Sequence, residues 1–353
     1  MSQVMRISSN PHVLVIRLSA MGDVAMTVPV LQQFCKTHPS AKVTVLTKAH
    51  FSPIFRGISG VSVHPALVKD RHKGLKGLWL LFVELRQLKI THVADLHFVL
   101  RSRIIGLFFR FAGVPVQVLD KDRRERKRLT RYPYKEFFPI KPMFERHVEV
   151  FHKLGFHLNC DPPSFLKPLP LSRNVGQIFK KNGRYKIGIA PFAAYSSKAY
   201  PLAMMVKVIG QLIKMAKIDV FLFGGGASER QLLEDVARGF PEQVSSVVGL
   251  FSLDQELELI SNLDVMLAMD SGNGHLAANY GVPVVTVWGV THPYAGFAPF
   301  GQPLEYSVLP DRKIFPAIPT SIYGKKYPEG YENAIGTISP NDIVEKVIQV
   351  LSI

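Results

Sequence analysis

Short apolar runs rich in β-branched residues alternate with helix-compatible runs along the whole chain, and this alternation limits the fold more than any other feature. In the first half the apolar runs fall at residues 12–18, 41–47, 91–96 and 116–119, the last entered through Pro115, a residue tolerated where a strand begins. Helical stretches follow at about 24–38 and 101–112. The second half repeats the pattern, with strands over 185–190, 219–223, 265–269 and 284–288 and helices over 202–216, 228–238, 252–261 and 274–280. Residues 341–351 read as a final amphipathic helix after Ser339-Pro340. This grammar predicts the α/β class, with parallel sheets covered on both faces. Residues 160–173, with Asp161-Pro162-Pro163 and Pro168-Leu169-Pro170, are helix-poor and read as a linker. The expectation is two doubly wound, Rossmann-like domains over 1–165 and 175–335, facing a cleft, and a terminal helix within 336–353 packed back on the first domain.

A chain of 353 residues accommodates two such domains, and 47% hydrophobic residues supply their cores. Cys35 and Cys160 are too few for a disulfide framework, which points to a reducing compartment. The apolar run Val13-Leu14-Val15-Ile16 is short and Arg17 interrupts it, so no signal peptide is read there. No stretch is long enough to span a bilayer, and a cytoplasmic location is expected. The net charge of +16 is unevenly spread: residues 1–160 hold 26 Lys+Arg against 10 Asp+Glu, and residues 161–353 hold 17 against 17. Such a field draws an anionic partner: nucleic acid, anionic lipid or an acidic substrate. No RNA-recognition or zinc motif accompanies it, and the basic residues lack aromatic interleaving, so nucleic acid is not expected. The bland alternative is a solvated basic face.

Four strand–turn–helix junctions carry the candidate chemistry. Asp264-Val-Met-Leu-Ala-Met-Asp270-Ser271-Gly272-Asn-Gly274-His275 runs a strand into a helix start, where the N–H groups of Ser271 and Gly272 suit a phosphate or simply open a capped helix. His275 there faces either a ligand or the core. Ser19-Ala20-Met21-Gly22-Asp23 places a carboxylate at another strand end, either to take a proton from a hydroxyl or to complement the helix dipole. Ser196-Ser197-Lys198 offers a point charge for a phosphate, or a solvated loop. Gly224-Gly225-Gly226-Ala-Ser228-Glu229 offers a carboxylate for ribose hydroxyls, or a tight turn with Ser228 as helix cap. No metal-ligand spacing is present, and no cofactor is called for. Three basic clusters lie in the first half. Arg71, Lys73 and Lys76 read as a glycine-bearing loop, Arg101 and Arg103 start a helix, and residues 121–131 read as a solvated loop or an ordered basic segment. Residues 104–111 are apolar enough to read as a buried helix, although apolar residues beside arginines also suit a bilayer surface.

In this order the motifs resemble glycosyltransferase family 9, the lipopolysaccharide heptosyltransferases. The resemblance rests on Met21-Gly22-Asp23, Asp95-Leu96-His97, Leu100-Arg101-Ser102, Ser197-Lys198-Ala-Tyr200-Pro201, Gly225-Gly226-Ala-Ser-Glu229, Asp270-Ser271-Gly272-Asn-Gly-His275-Leu-Ala-Ala, Val287-Trp288-Gly289 and Thr291-His292-Pro293, spread over about residues 12–350. Tyr200 stands where members commonly carry tryptophan. The resemblance implies a GT-B fold, an ADP-heptose donor in the C-terminal domain and an anionic, lipid-anchored saccharide acceptor in the N-terminal one, at the cytoplasmic face of the inner membrane. It implies inversion without a metal. Asp23 would be the general base, Lys198 and Ser197 would face the leaving diphosphate, Glu229 the ribose, and Asp270, Ser271, Gly272 and His275 the sugar and phosphates of the donor. Arg71, Lys73, Arg101 and Arg103 would meet the acceptor. The alternatives are a GT-B enzyme for another nucleotide sugar, including an epimerase, or a non-enzymatic nucleic-acid binder.

Overall fold

A computed structural model describes residues 10–160, 162–179 and 184–352, so Asp161 of the expected linker lies outside the described residues. The chain divides into two compact units, one of residues 1–121 and 143–166, the other of residues 122–142 and 167–353.

The first unit holds a five-stranded parallel sheet in the order β3-β2-β1-β4-β5. Its strands are β1 (His12–Ile16), β2 (Lys42–Thr47), β3 (Val61–Pro65), β4 (His92–Asp95) and β5 (Val116–Val118). Val13, Leu14, Val15 and Ile16 are all fully buried, because helices cover both faces of a parallel sheet. Register sets Ile16 beside Leu46 on one side and Asp95 on the other. The segment after β1 forms two helices, α1 (Met21–Ala25) and α2 (Val28–Thr37), rather than one. Pro29 lacks an amide hydrogen, so it ends the first helix and sits in the opening turn of the second. The basic cluster expected in a loop leads into a helix, α3 (Gly74–Gln87), with Lys76 inside it. Helix α4 (Leu100–Phe111) packs Ile105 and Phe109 with Leu78, Leu81, Phe82 and Leu85 of α3 under the sheet. It is buried on that face only; Phe111 is 81% exposed, which corrects the expectation of a buried helix.

Residues 121–131 are ordered as helix α5 (Arg123–Thr130), and it belongs to the second unit. Arg126 is buried there, donating to the Tyr323 hydroxyl at 2.9 Å with its guanidinium 5.3 Å from the Phe297 ring centroid. Lys135 donates to the carbonyls of Ala317 and Pro319 at 2.7 and 3.1 Å, fastening the same excursion. Charge therefore divides differently from the expected halves: 18 Lys+Arg against 8 Asp+Glu in the first unit, and 25 against 19 in the second. Helix α6 (Met143–Lys153) returns to the first unit, where Phe151 meets Phe34 of α2 at 5.0 Å between ring centroids.

After the short α7 (Arg173–Gly176), the second unit builds a six-stranded parallel sheet in the order β11-β10-β9-β6-β7-β8. The strands are β6 (Tyr185–Ala190), β7 (Ile218–Leu222), β8 (Val244–Ser246), β9 (Val265–Met269), β10 (Val284–Val287) and β11 (Ser307–Val308). Helices α8 (Leu202–Met215), α9 (Gly226–Arg238), α10 (Leu253–Ile260) and α11 (Gly272–Ala278) connect them. The terminal helix α12 (Pro340–Leu351) buries Ile343, Val344 and Val347 in the core of this second unit, with Val208 and Leu212 of α8. Its apolar face is thus used within the second unit.

Candidate functional site

Each sheet contains one pair of neighbouring strands from which the chain leaves in opposite directions, and the loops after those strands converge on the place where open α/β sheets bind ligands. In the first unit the pair is β1 and β4; in the second it is β6 and β9.

In the first unit, Asp23 lies in α1 immediately past the end of β1, with its side chain 27% exposed. Its Oδ2 accepts from Arg17 Nη2 at 2.5 Å and from the backbone N–H of Ala20 at 3.2 Å. Arg17 is buried, and it also donates from Nη1 to Leu96 O at 2.6 Å and from Nε to Ser19 O at 3.0 Å. One guanidinium therefore ties the loop after β1 to the loop after β4 and fixes the carboxylate between them. Arg17 is a finding of the structure: in the sequence it is only the charge that ends an apolar run, although an arginine at the end of a fully buried strand is itself a signal. Asp95 is buried, and its Oδ1 accepts from the N–H groups of His97 and Phe98 at 3.0 and 2.8 Å, shaping the turn into α4. Burial raises its pKa above the usual carboxylate range, against those bonds and Arg17. His97 is held neutral, its pKa pushed down to about 4 chiefly by burial and then by Arg17.

The four basic candidates lie elsewhere in the unit, two before α3 and two in α4. Arg71 pairs with Glu84 of α3 at 2.7 Å, and Lys73 immediately precedes that helix. Arg101 and Arg103 are exposed in the first turn of α4, with the Arg103 guanidinium 5.4 Å from the Phe98 ring centroid. Among the described residues none of the four is bonded to Asp23.

In the second unit, the loop after β6 brings Lys198 to the loop after β9. Lys198 Nζ donates to Asp270 O at 2.8 Å and to Asp270 Oδ2 at 3.1 Å. The same Oδ2 accepts from the Thr291 hydroxyl at 2.9 Å, so a residue following β10 joins the cluster. Ser197 is a strut: its buried hydroxyl donates to Gly324 O at 2.6 Å, and its carbonyl accepts from Val290 N–H at 3.3 Å. Gly289 allows this approach, since a Cβ there would stand 1.9 Å from Ser197 O. Ser271 and Gly272 open α11 beside Asp270, and the Ser271 hydroxyl oxygen is buried without a hydrogen-bond partner. His275 is buried one turn into that helix. Glu229 lies past β7, the strand next to β6, and its Oε2 accepts from Gly225 N–H at 2.6 Å at the start of α9. The structure thus brings Ser197, Lys198, Asp270, Ser271, Gly272 and His275 together around β6 and β9, with Glu229 one strand away. Tyr200 is buried and donates its hydroxyl to Ile338 O at 2.8 Å, a core tie to the C-terminal segment. Among the described residues no three His, Cys, Asp or Glu side chains gather to hold a metal ion.

The solved structure of Escherichia coli ADP-heptose LPS heptosyltransferase II superposes with a TM-score of 0.67 at 20% identity, covering 97% of this chain and 98% of that one. Two parallel-sheet, Rossmann-like units of this kind define the GT-B class of glycosyltransferase folds. The lipopolysaccharide core heptosyltransferase OpsX of Haemophilus influenzae is 22% identical over 79% of each chain, and the lipooligosaccharide heptosyltransferase 2 of the same organism is 23% identical over 97% of this chain and 99% of its own. The sequence model of glycosyltransferase family 9 (heptosyltransferase) matches residues 81–309. The chain belongs to that family, and it is a glycosyltransferase.

Proposed function

We propose that this enzyme transfers a heptose from ADP-heptose to an anionic, lipid-anchored lipopolysaccharide core acceptor, with inversion and without a metal. The observation that carries the reading is the meeting of Lys198 and Asp270 from two different strand ends, 2.8 and 3.1 Å apart at the switch point of the second sheet. An ammonium held there, beside the N–H groups of Ser271 and Gly272, suits the charge of a departing diphosphate. The buried, unpartnered Ser271 hydroxyl suits a polar group of the donor. Asp270 and His275 would hold the sugar, and Glu229 the ribose hydroxyls. In the reaction the acceptor hydroxyl oxygen attacks the anomeric carbon from the face opposite the diphosphate. Asp23 takes the hydroxyl proton as the new C–O bond forms. The bond from the anomeric carbon to the β-phosphate oxygen breaks, and ADP leaves with the electron pair. Both partners of Asp23 sit on Oδ2, which leaves Oδ1 to act on the hydroxyl. Arg71, Lys73, Arg101 and Arg103 would meet the anionic groups of the acceptor, whose lipid anchor would bring the enzyme to a membrane surface.

The test is a transfer assay with ADP-heptose and a purified inner-core acceptor, in the presence of a chelator, with the anomeric configuration of the product read by NMR. Inverted product without added metal is expected. Transfer only from a uridine-linked sugar, retained configuration, or loss of activity on chelation would overturn the corresponding part.

A further inference from the structure

Helices α3 and α4 bury one face each and leave the other apolar and uncovered. On α4 the buried side is Ile105 and Phe109, whereas Leu100, Leu107 and Phe111 recur on the opposite side at seven- and four-residue intervals and are 72%, 46% and 81% exposed. On α3 the exposed apolar residues are Leu75, Trp79, Leu80 and Val83, with Trp79 53% exposed. The two stripes are one surface: the Trp79 ring meets Phe108 of α4 edge-on, 5.2 Å between centroids. An apolar cleft of about 430 Å³ borders it, between α4 and the edge strand β5, with Arg103 and Arg110 in its lining. A surface of this extent on two helices that already have their core is more than scattered exposure.

The charge on the two helices is predominantly basic. The two helices carry Lys76, Arg86, Arg101, Arg103 and Arg110 against a single acid, Glu84, which Arg71 engages at 2.7 Å. At 100° per residue Arg101 flanks one side of the α4 stripe, and Arg103 and Arg110 flank the other. A second copy of this chain would set basic rim against basic rim, which disfavours self-pairing. An apolar stripe between basic flanks matches the boundary of an anionic bilayer, where the apolar side chains enter the acyl region and the cations stay at the headgroups.

We propose that the α3–α4 face is a membrane-docking surface, seating Leu75, Trp79, Leu107 and Phe111 in an anionic bilayer with Lys76, Arg86 and Arg110 at the lipid phosphates. This takes from the proposed function only that the acceptor is lipid-anchored. The face would hold the first unit where such an acceptor lies.

The chain offers its own probe, because its two tryptophans are Trp79, exposed on this face, and Trp288, buried in the second unit. Full-length protein is titrated with vesicles of phosphatidylcholine alone and of phosphatidylcholine mixed with phosphatidylglycerol. The expected result is co-sedimentation and a blue-shifted tryptophan emission with the anionic vesicles only, the shift vanishing in Trp79→Phe. Leu107→Ser with Phe111→Ser should weaken partitioning by about tenfold or more while transfer to a soluble, delipidated acceptor is unchanged. Arg86→Ser with Arg110→Ser should weaken anionic-vesicle binding, with the remaining binding less sensitive to salt. Absence of vesicle binding, binding that survives Leu107→Ser with Phe111→Ser, or a lipid-free dimer dispersed by those changes would overturn the proposal. Vesicle binding in a protein that transfers no heptose would leave the docking surface standing and overturn the reaction instead.

Discussion

Arg17 decides what Asp23 can do. A carboxylate bound on Oδ2 by a guanidinium at 2.5 Å is held in one orientation, and the guanidinium is itself fixed by two backbone carbonyls. Asp23→Asn keeps the shape but removes the proton acceptor. Steady-state kinetics should show kcat lower by about a thousandfold, with donor affinity retained; activity within a few-fold of the native enzyme would remove Asp23 from the reaction. A second residue-scale prediction concerns His147, which is fully buried behind this site and donates from Nδ1 to Met26 O at 3.3 Å. Burial drives its pKa down to about 3 from the ordinary 6.5. The unfolded chain takes up this proton near pH 6.5 and the folded chain does not, so the associated stability is complete above pH 6.5 and is lost as pH falls toward 3. In urea denaturation between about pH 6 and pH 4, His147→Phe should lose stability with acid less steeply than the native chain, by about 1.4 kcal/mol per pH unit. Equal slopes would contradict the buried neutral ring.

Loops anchored at strand ends carry the site, so a change that touches no ligand can still move it. Gly289→Ala would drive a methyl group into Ser197 O and push the loop bearing Lys198 off Asp270. It should cost about 1–3 kcal/mol of stability and weaken ADP binding; a variant that binds ADP as tightly as the native protein would show that the loop is not held this way. At this scale much was legible beforehand. The strand over 265–269 stands where the apolar run put it, because a strand buried on both faces is an unbroken apolar run, and the one over 185–190 does so past the half-buried Tyr185 and Lys186 at its start. Helix α3 was hidden because Gly74 and Gly77 sit in its first turn among lysines; Gly77 is there because a Cβ would lie 2.4 Å from the His72 carbonyl carbon. Strand β3 was hidden because it is an edge strand, half-buried and interrupted by Ser62, His64 and Pro65. Helix α6 had a readable stripe in Met143, His147, Val150 and Phe151, masked by its charges. The candidate residues at strand ends were legible from the strand–turn–helix junctions. Arg17 and Thr291 were not, since their roles arise only when separate strands become neighbours.

At the scale of the whole molecule, a chain segment and its charge need not stay with their neighbours in sequence. Residues 122–142 cross to the second unit, taking the densest basic run with them, and the net charge of +16 becomes +10 on the first unit and +6 on the second. Residues 69–110, which hold α3, α4 and their flanks, carry 9 of the first unit's 18 Lys+Arg against 3 of its 8 Asp+Glu, and α5 contributes to the second unit, where Arg126 is a buried structural group. Sequence counting could not see this, because a helix of arginines and a solvated arginine loop have the same composition. The central claim is that the second unit holds an adenine nucleotide diphosphate against Lys198. Calorimetric titration of the full chain with ADP and with UDP, repeated in Lys198→Ala after its fold is checked by circular dichroism, tests this most directly. The account predicts binding selective for ADP and weakened by the lysine change; binding that prefers UDP, or ADP binding indifferent to Lys198, would contradict it.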